Sequence, residues 1–180
     1  NNIVKWVQSS ILLQQQVAKR ARIIKKWIKV CDELFNIRCF QGFVAVQCAL
    51  ASNAIYTLKE AWNQTNVLKR KHHTKYKEIK VIMSASHNFE NLRRLQREAH
   101  APLIPYFGIF CKDLIYIQEG ISKRNQDGMI NWNKLWRLSE LIKEHLQYQQ
   151  TPYNRIIEEE DAMQKWLETE LRRAGMLKSE

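Results

Sequence analysis

The chain has 180 residues, 45% of them hydrophobic, with six Trp, six Tyr and six Phe, enough to build the core of one domain and too apolar for a disordered chain. Only five Gly and three Pro interrupt it, so tight turns are few and helices are favoured. A formal charge of +11 points to an anionic partner (nucleic acid, an acidic protein face or an anionic membrane) unless it is spread over solvated helix faces.

Residues 2–13 read as a first helix, with Ile3, Trp6, Val7 and Ile11 on one side. Residues 17–35 read as a second. Val17, Ala21, Ile24, Ile28, Cys31 and Phe35 recur at helical spacing, and Lys19, Arg20, Lys25, Lys26 and Lys29 occupy the rest. Residues 39–58 carry no charge, a length that raises the question of a membrane span. Gln41, Gln47, Ser52, Asn53 and Thr57 make the stretch too polar for lipid, and a buried central helix over 40–50 fits better. Ser52 or Asn53 can cap a helix over 54–62. A polar loop over 63–71 then leads to a short helix over 74–83, with Tyr76, Ile79 and Ile82 inward. Ser86, with Glu90 four residues on, opens a helix over 87–100, which Ala101-Pro102 breaks.

Residues 105–120 are the most apolar of the later helices. Pro105 can start the helix and Gly120 can end it in a left-handed cap. Phe107, Phe110, Leu114 and Ile117 form one stripe expected to be buried; Ile109, Ile115 and Tyr116 fall outside it. A helix apolar on two faces is either fully buried or keeps one face for a partner. A polar link over 122–128 follows, with Asp127-Gly128 as a turn. Asn131 starts a long helix to about 149, with Leu135, Leu138, Ile142 and Leu146 as its apolar set and Trp132 and Trp136 nearby. The two helices, joined by so short a turn, pair as a helical hairpin over about 105–149. A last helix is expected over 157–174, its acidic start favoured by the helix dipole and Gly175 ending it. The chain begins Asn-Asn and reads as an excerpt of something longer; Ile11-Leu12-Leu13 is too short for a signal peptide core.

Little in the sequence carries side-chain chemistry. Glycines at 42, 108, 120, 128 and 175 make neither G-x-x-x-x-G-K nor G-x-G-x-x-G, so neither familiar nucleotide-binding loop exists. His72-His73 is an adjacent pair, His87, His100 and His145 stand alone, and no Cys/His set has zinc spacing; no metal or cofactor is expected. No G-x-S-x-G elbow appears. Cys31, Cys39, Cys48 and Cys111 form no C-x-x-C pair and read as reduced core thiols of a cytosolic protein. The most basic stretch, 69–80, has five Lys, one Arg and two His. Its one aromatic is Tyr76, so a base-stacking surface for nucleic acid is not evident. An interaction module fits better than an enzyme.

The order of motifs is more specific than the composition. The run Ile104-Pro105-Tyr106-Phe107-Gly108-Ile109-Phe110, then Lys112-Asp113-Leu114 and Glu119-Gly120, resembles the signature of Ras-family guanine-nucleotide exchange factor (RasGEF) catalytic domains. Ile130-Asn131-Trp132-Asn133-Lys134 and Gln147-Tyr148-Gln149-Gln150-Thr151-Pro152-Tyr153-Asn154 resemble its second signature. Phe40-Gln41-Gly42-Phe43, Leu50-Ala51-Ser52-Asn53-Ala54-Ile55-Tyr56 and Asn88-Phe89-Glu90-Asn91-Leu92-Arg93 resemble further blocks, in the family's order.

The resemblance implies an all-helical bowl with a protruding hairpin, spanning 1–180 and lacking roughly the first quarter of the domain. It implies a cytoplasmic exchange factor for a Ras-, Rap- or Ral-type GTPase, acting without covalent chemistry. Carried over by position, Ile115 would push an apolar side chain toward the GTPase's magnesium site and Glu119 a carboxylate toward the phosphates. Phe40, Ser52, Asn53, Tyr56, Phe89, Arg93, Tyr106 and Lys112 would lie in the GTPase-binding surface. Cys39 and Ala51 stand where the family usually carries Asn, and Thr57 where it usually carries Arg. Ala51 and Thr57 keep open an alternative, a GTPase-binding or scaffold member with weak or no exchange; a basic nucleic-acid-binding domain ranks third. The basic surface also suits an anionic membrane face.

Overall fold

The computed structural model describes residues 2–153 and 161–176. Among these the chain forms α1 (Asn2–Leu12), α2 (Val17–Asn36), α3 (Phe40–Ala51), α4 (Asn53–Tyr56), α5 (Lys59–Trp62), α6 (Arg70–Ile82), α7 (Glu90–Glu98), α8 (Phe107–Gly120), α9 (Trp132–Gln147) and α10 (Asp161–Met176). It is all-α: the described residues hold two isolated β-bridges, Cys39 with Ile104 and Arg124 with Ile130, and no strand.

The body is built on α3. Its uncharged sequence is buried nearly all round, with Phe40, Phe43, Val44, Val46, Ala49 and Leu50 in the core, and α1 and α2 pack against it. Each of the Phe, Val and Leu side chains contributes roughly 1.5–3 kcal/mol through burial. α10 closes over α1, where Trp6 meets the edges of both Trp27 and Trp166. Trp27 is buried and donates its indole N–H to Ser10 Oγ at 2.8 Å.

Several local expectations are corrected. The helix over 54–62 is two short helices, parted at Thr57 and Leu58; the Thr57 hydroxyl donates back to the Asn53 carbonyl, which favours a bend. Ser52 occupies the cap position, but its hydroxyl donates to Ala49 O instead of capping α4. α6 begins at Arg70, four residues before its expected start, because the His72 ring accepts the Lys69 N–H across the first turn. α7 begins at Glu90: His87, Asn88 and Phe89 are all left-handed, with φ of 49°, 59° and 61°. α8 starts at Phe107, after an extended Tyr106, so Pro105 lies outside it. Gly175 lies within α10, and the expected start of that helix lies partly outside the described residues. Of the thiols only Cys31 is fully buried, and burial with the nearby Asp32 and Cys48 pushes its pKa up to about 12; Cys48 is exposed.

The end of α2 fixes where the hairpin leaves the body. Arg38 takes a left-handed φ of 62°, and the N–H groups of Arg38 and Cys39 return to Phe35 O and Leu34 O, closing the helix. The chain then pairs with the segment before α8: Ile104 N donates to Arg38 O at 3.0 Å, and Phe40 N to Ile104 O at 2.8 Å.

Candidate functional site

α8 and α9 pack on each other as a helical hairpin. The base of α8 borrows its caps from the body. Its first amides would lack partners, because Tyr106 supplies no side-chain cap. Tyr106 N donates instead to Gln96 Oε1 of α7 at 2.9 Å, and Phe107 N to Gln41 Oε1 of α3 at 3.1 Å. Gln96 is itself only 4% exposed, so its amide is committed to this task.

Midway, the contact with the body is ionic. Ile109 and Ile117 are buried, and Asp113 lies between them on the same line, one turn from each. Arg93 of α7 grips Asp113 with two parallel bonds, at 2.6 and 2.7 Å, and its side chain is 16% exposed. The carboxylate holds the Arg93 guanidinium pKa above its ordinary value, against burial. Arg93 Nε also donates to Asn88 O, and Lys112 Nζ donates to Asn88 Oδ1 while sitting over the Phe89 ring at 5.6 Å. Residues 87–89 are left-handed at roughly 1–2 kcal/mol each. Arg93 and Lys112 grip the middle of that segment and tie it to α8.

At the tip, α8 ends without a left-handed glycine. Gly120 stays helical, and Ile121 leaves in an extended conformation. The terminal carbonyls are taken by Lys134 of α9, whose Nζ donates to Gln118 O and Ile121 O, both at 2.7 Å. Lys134 is 6% exposed, and its charge lies at the negative end of the α8 dipole. Asn131 caps α9, as its sequence position predicts: its side chain accepts from Lys134 N and donates to Ser122 O. The link between turns at Gly128, with φ +80°.

Turned away from the line of Ile109, Asp113 and Ile117, α8 presents Ile115 and Glu119 one turn apart, with Lys112 on the flank. Ile115 is 62% exposed and Glu119 is exposed, with no ion pair among the described residues. Tyr116 beside them is also bare. The expected stripe is corrected here: Ile109 is buried and Phe107 exposed. On α9, Leu135, Ile142 and Leu146 are exposed, as are Trp132 and Trp136. An open groove of about 640 Å³ runs between the arms, lined in part by Asp113, Tyr116, Trp136 and Glu144.

The remaining expected contact residues are scattered by role. Tyr56 is half exposed, with Lys59 Nζ 3.9 Å above its ring, and Asn53 is exposed beside it. Ser52, Phe89 and Tyr106 are half-buried, and the Tyr106 ring lies so close over Gly108 that an added Cβ would clash with it. Phe40 is corrected: it is 2% exposed and meets Phe35 edge-on within the core, so its ring offers no surface to a partner. Gln41, Gln96, Asp113 and Lys134 were not anticipated as parts of the site. Asp113 carried a signal, as a lone acid on the apolar side of a helix that needs a cation. Lys134 carried one in its spacing from Asn131; the two glutamines carried none.

The described residues thus form a helical body with an exposed hairpin anchored to it by polar contacts. Residues 1–136 match the family model described as RasGEF domain, and the chain belongs to that family. It is 32% identical over 157 residues to Ras-specific guanine nucleotide-releasing factor 2 of Danio rerio, and 31% over 155 to Ras-specific guanine nucleotide-releasing factor 1 of Rattus norvegicus. It is 29% identical over 154 residues to Ras guanine nucleotide exchange factor Y of Dictyostelium discoideum. These alignments cover 85%, 85% and 86% of this chain, but 12%, 12% and 10% of the relatives, so the chain spans about an eighth of their length or less.

Proposed function

We propose that this chain is the C-terminal three quarters of a RasGEF catalytic domain, acting in the cytoplasm on a Ras-like GTPase of Ras, Rap or Ral type. A nucleotide's phosphate tail is held by magnesium, a lysine and backbone N–H groups. Ile115 enters the metal's place with an apolar side chain. Glu119, one turn on, brings a carboxylate that repels phosphate and accepts the hydrogen bonds phosphate gives up. No covalent step is needed. The factor binds the empty GTPase better than the loaded one, so it lowers nucleotide affinity by the same factor by which nucleotide lowers its own. Asn53, Tyr56, Phe89 and Lys112 contribute to the docking surface, and Arg93 holds the hairpin at its angle.

One observation carries this reading: Ile115 and Glu119 stand exposed, one turn apart, on the face of α8 opposite its buried line, while Lys134 fixes the helix end beside them. The test is release of a fluorescent GDP analogue from Ras-, Rap- and Ral-type GTPases by the intact protein. Accelerated release from at least one, slowed when Ile115 and Glu119 are both replaced by Ala, is the expected result. No release from any of them sinks the proposal. Binding without release supports the weaker reading as a scaffold, which Ala51 favours: it sits exposed at the end of α3, with no polar group to offer.

A further inference from the structure

The positive charge is concentrated away from the hairpin. Residues 17–36 and 69–80 together hold twelve Lys and Arg against three acids, Asp32, Glu33 and Glu78, a surplus of nine out of the whole chain's eleven. α2 and α6 pack against each other, so these charges share one region. Lys75 binds two of the three acids, Asp32 at 3.3 Å and Glu78 at 3.0 Å. Lys25, Lys29 and Lys71 are left along the seam, and among the described residues none of them makes an ion pair. All three act on His72, which lies buried between the helices with Nε2 unpartnered. Burial, then the charges of Lys25, Lys71 and Lys29, hold its pKa below the ordinary imidazole value.

Three cations around one buried ring repel each other, and none of them is ion-paired among the described residues. We infer that the α2–α6 seam, with Lys25, Lys29 and Lys71 at its centre and Arg22, Lys26, Arg70 and Lys77 around it, docks on the anionic phospholipid surface of a membrane. Two features favour a bilayer over nucleic acid. Val30 and Val81 stand exposed on the same two helices among the cations, aliphatic groups suited to the headgroup boundary. Tyr76, the one aromatic of the basic stretch, is buried and stacked on Trp62, so no ring is free to receive a base. No helix among the described residues is long and apolar enough to cross a membrane, so contact of this kind would be peripheral. The surface is separate from Ile115 and Glu119, and its test does not depend on exchange.

The experiment is co-sedimentation of the intact protein with vesicles of phosphatidylcholine alone or mixed with phosphatidylserine. Binding is expected only to the mixed vesicles, and Lys25→Gln, Lys29→Gln and Lys71→Gln combined should weaken it about a hundredfold, at roughly fivefold per lysine. A control with the same charge loss, Lys165→Gln, Arg172→Gln and Arg173→Gln on α10, should bind as before. The seam variant should melt no lower than the parent, because it loses only repulsion, and its GDP release in solution should be unchanged. Equal weakening in both variants would mean that net charge alone is read, and would overturn the assignment. So would absence of binding to the mixed vesicles, or tighter binding by the same three lysines to mixed-sequence oligonucleotides at physiological salt.

Discussion

The body and the hairpin use opposite means of holding a helix in place. In the body, α3 buries most of its side chains, and α1, α2 and α10 are positioned by what they cover. In the hairpin, α9 leaves Trp132, Leu135, Trp136, Ile142 and Leu146 exposed, and α8 is located by Gln41, Gln96, the Arg93–Asp113 pair and Lys134. Burial is strong but non-directional, so it secures the fold without fixing an angle. Hydrogen bonds to charged groups are weaker in sum but geometrically demanding, so they set orientation. If Glu119 acts as proposed, the second device suits the element that carries it.

The contrast is tested first by truncation. Phe43→Ala in the body should cost roughly 3–5 kcal/mol and lower the melting temperature accordingly. Trp136→Ala removes an even larger side chain, but one that is 63% exposed, and should change stability by no more than about 0.5 kcal/mol. Comparable losses in thermal or urea melts would show that the hairpin is held by burial after all.

Next comes the ionic strap. Arg93→Ala leaves the half-buried Asp113 without its partner and should cost about 1–3 kcal/mol, felt mainly as faster amide exchange along α8. Arg93→Lys should recover only part of this, since a lysine cannot reproduce the two-pronged grip. A double-mutant cycle with Asp113→Ala isolates the pair, and a coupling near zero would remove it from the account.

Lys134→Met keeps the aliphatic stem and deletes the ammonium, freeing the carbonyls of Gln118 and Ile121. Hydrogen bonds to a charged group run to about 1.5–3 kcal/mol, and the loss should stay near the tip. Amide exchange of residues 118–121 should rise while that of α3 holds steady. If Glu119 acts on the nucleotide site as proposed, GDP release should slow as it loses its fixed direction. Release at the parental rate, with a frayed tip, would show that the carboxylate does not need to be aimed.

Much of this was legible before the structure, and the failures share a cause. The spans of α1, α2, α3 and α9, the pairing of α8 with α9 and the Asn131 cap follow from periodicity and from side chains that act on their own neighbours. Features set by distant partners were not legible. Gly120 looked like a cap because helices commonly end on glycine, yet Lys134, fourteen residues on, satisfies the carbonyls instead. Residues 87–89 looked like a first helical turn, yet their left-handed path is tied to Lys112 and Arg93. The engagement of Arg93 with Asp113 depends on where α8 passes. Ile109 and Phe107 exchanged roles for the same reason, since periodicity finds a stripe but not what lies opposite it.

The smallest effect on stability should accompany the largest effect on function. Ile115→Ala and Glu119→Ala alter exposed side chains that make no ion pair among the described residues, so each should leave the melting temperature nearly unchanged, within about 0.5 kcal/mol. If these side chains act on the nucleotide site, the same changes should slow GDP release by roughly 5- to 150-fold, the range of ordinary coupling between two ligands on one protein. Glu119→Gln separates the two parts of the role. The amide keeps an acceptor but loses the charge that repels phosphate, so its rate should fall between those of the parent and the alanine variant. Equal rates for the amide and the parent would assign the effect to hydrogen bonding alone. Equal rates for the amide and the alanine would assign it to charge. In either case stability stays level while rate moves, as expected of a side chain that the fold positions but does not use.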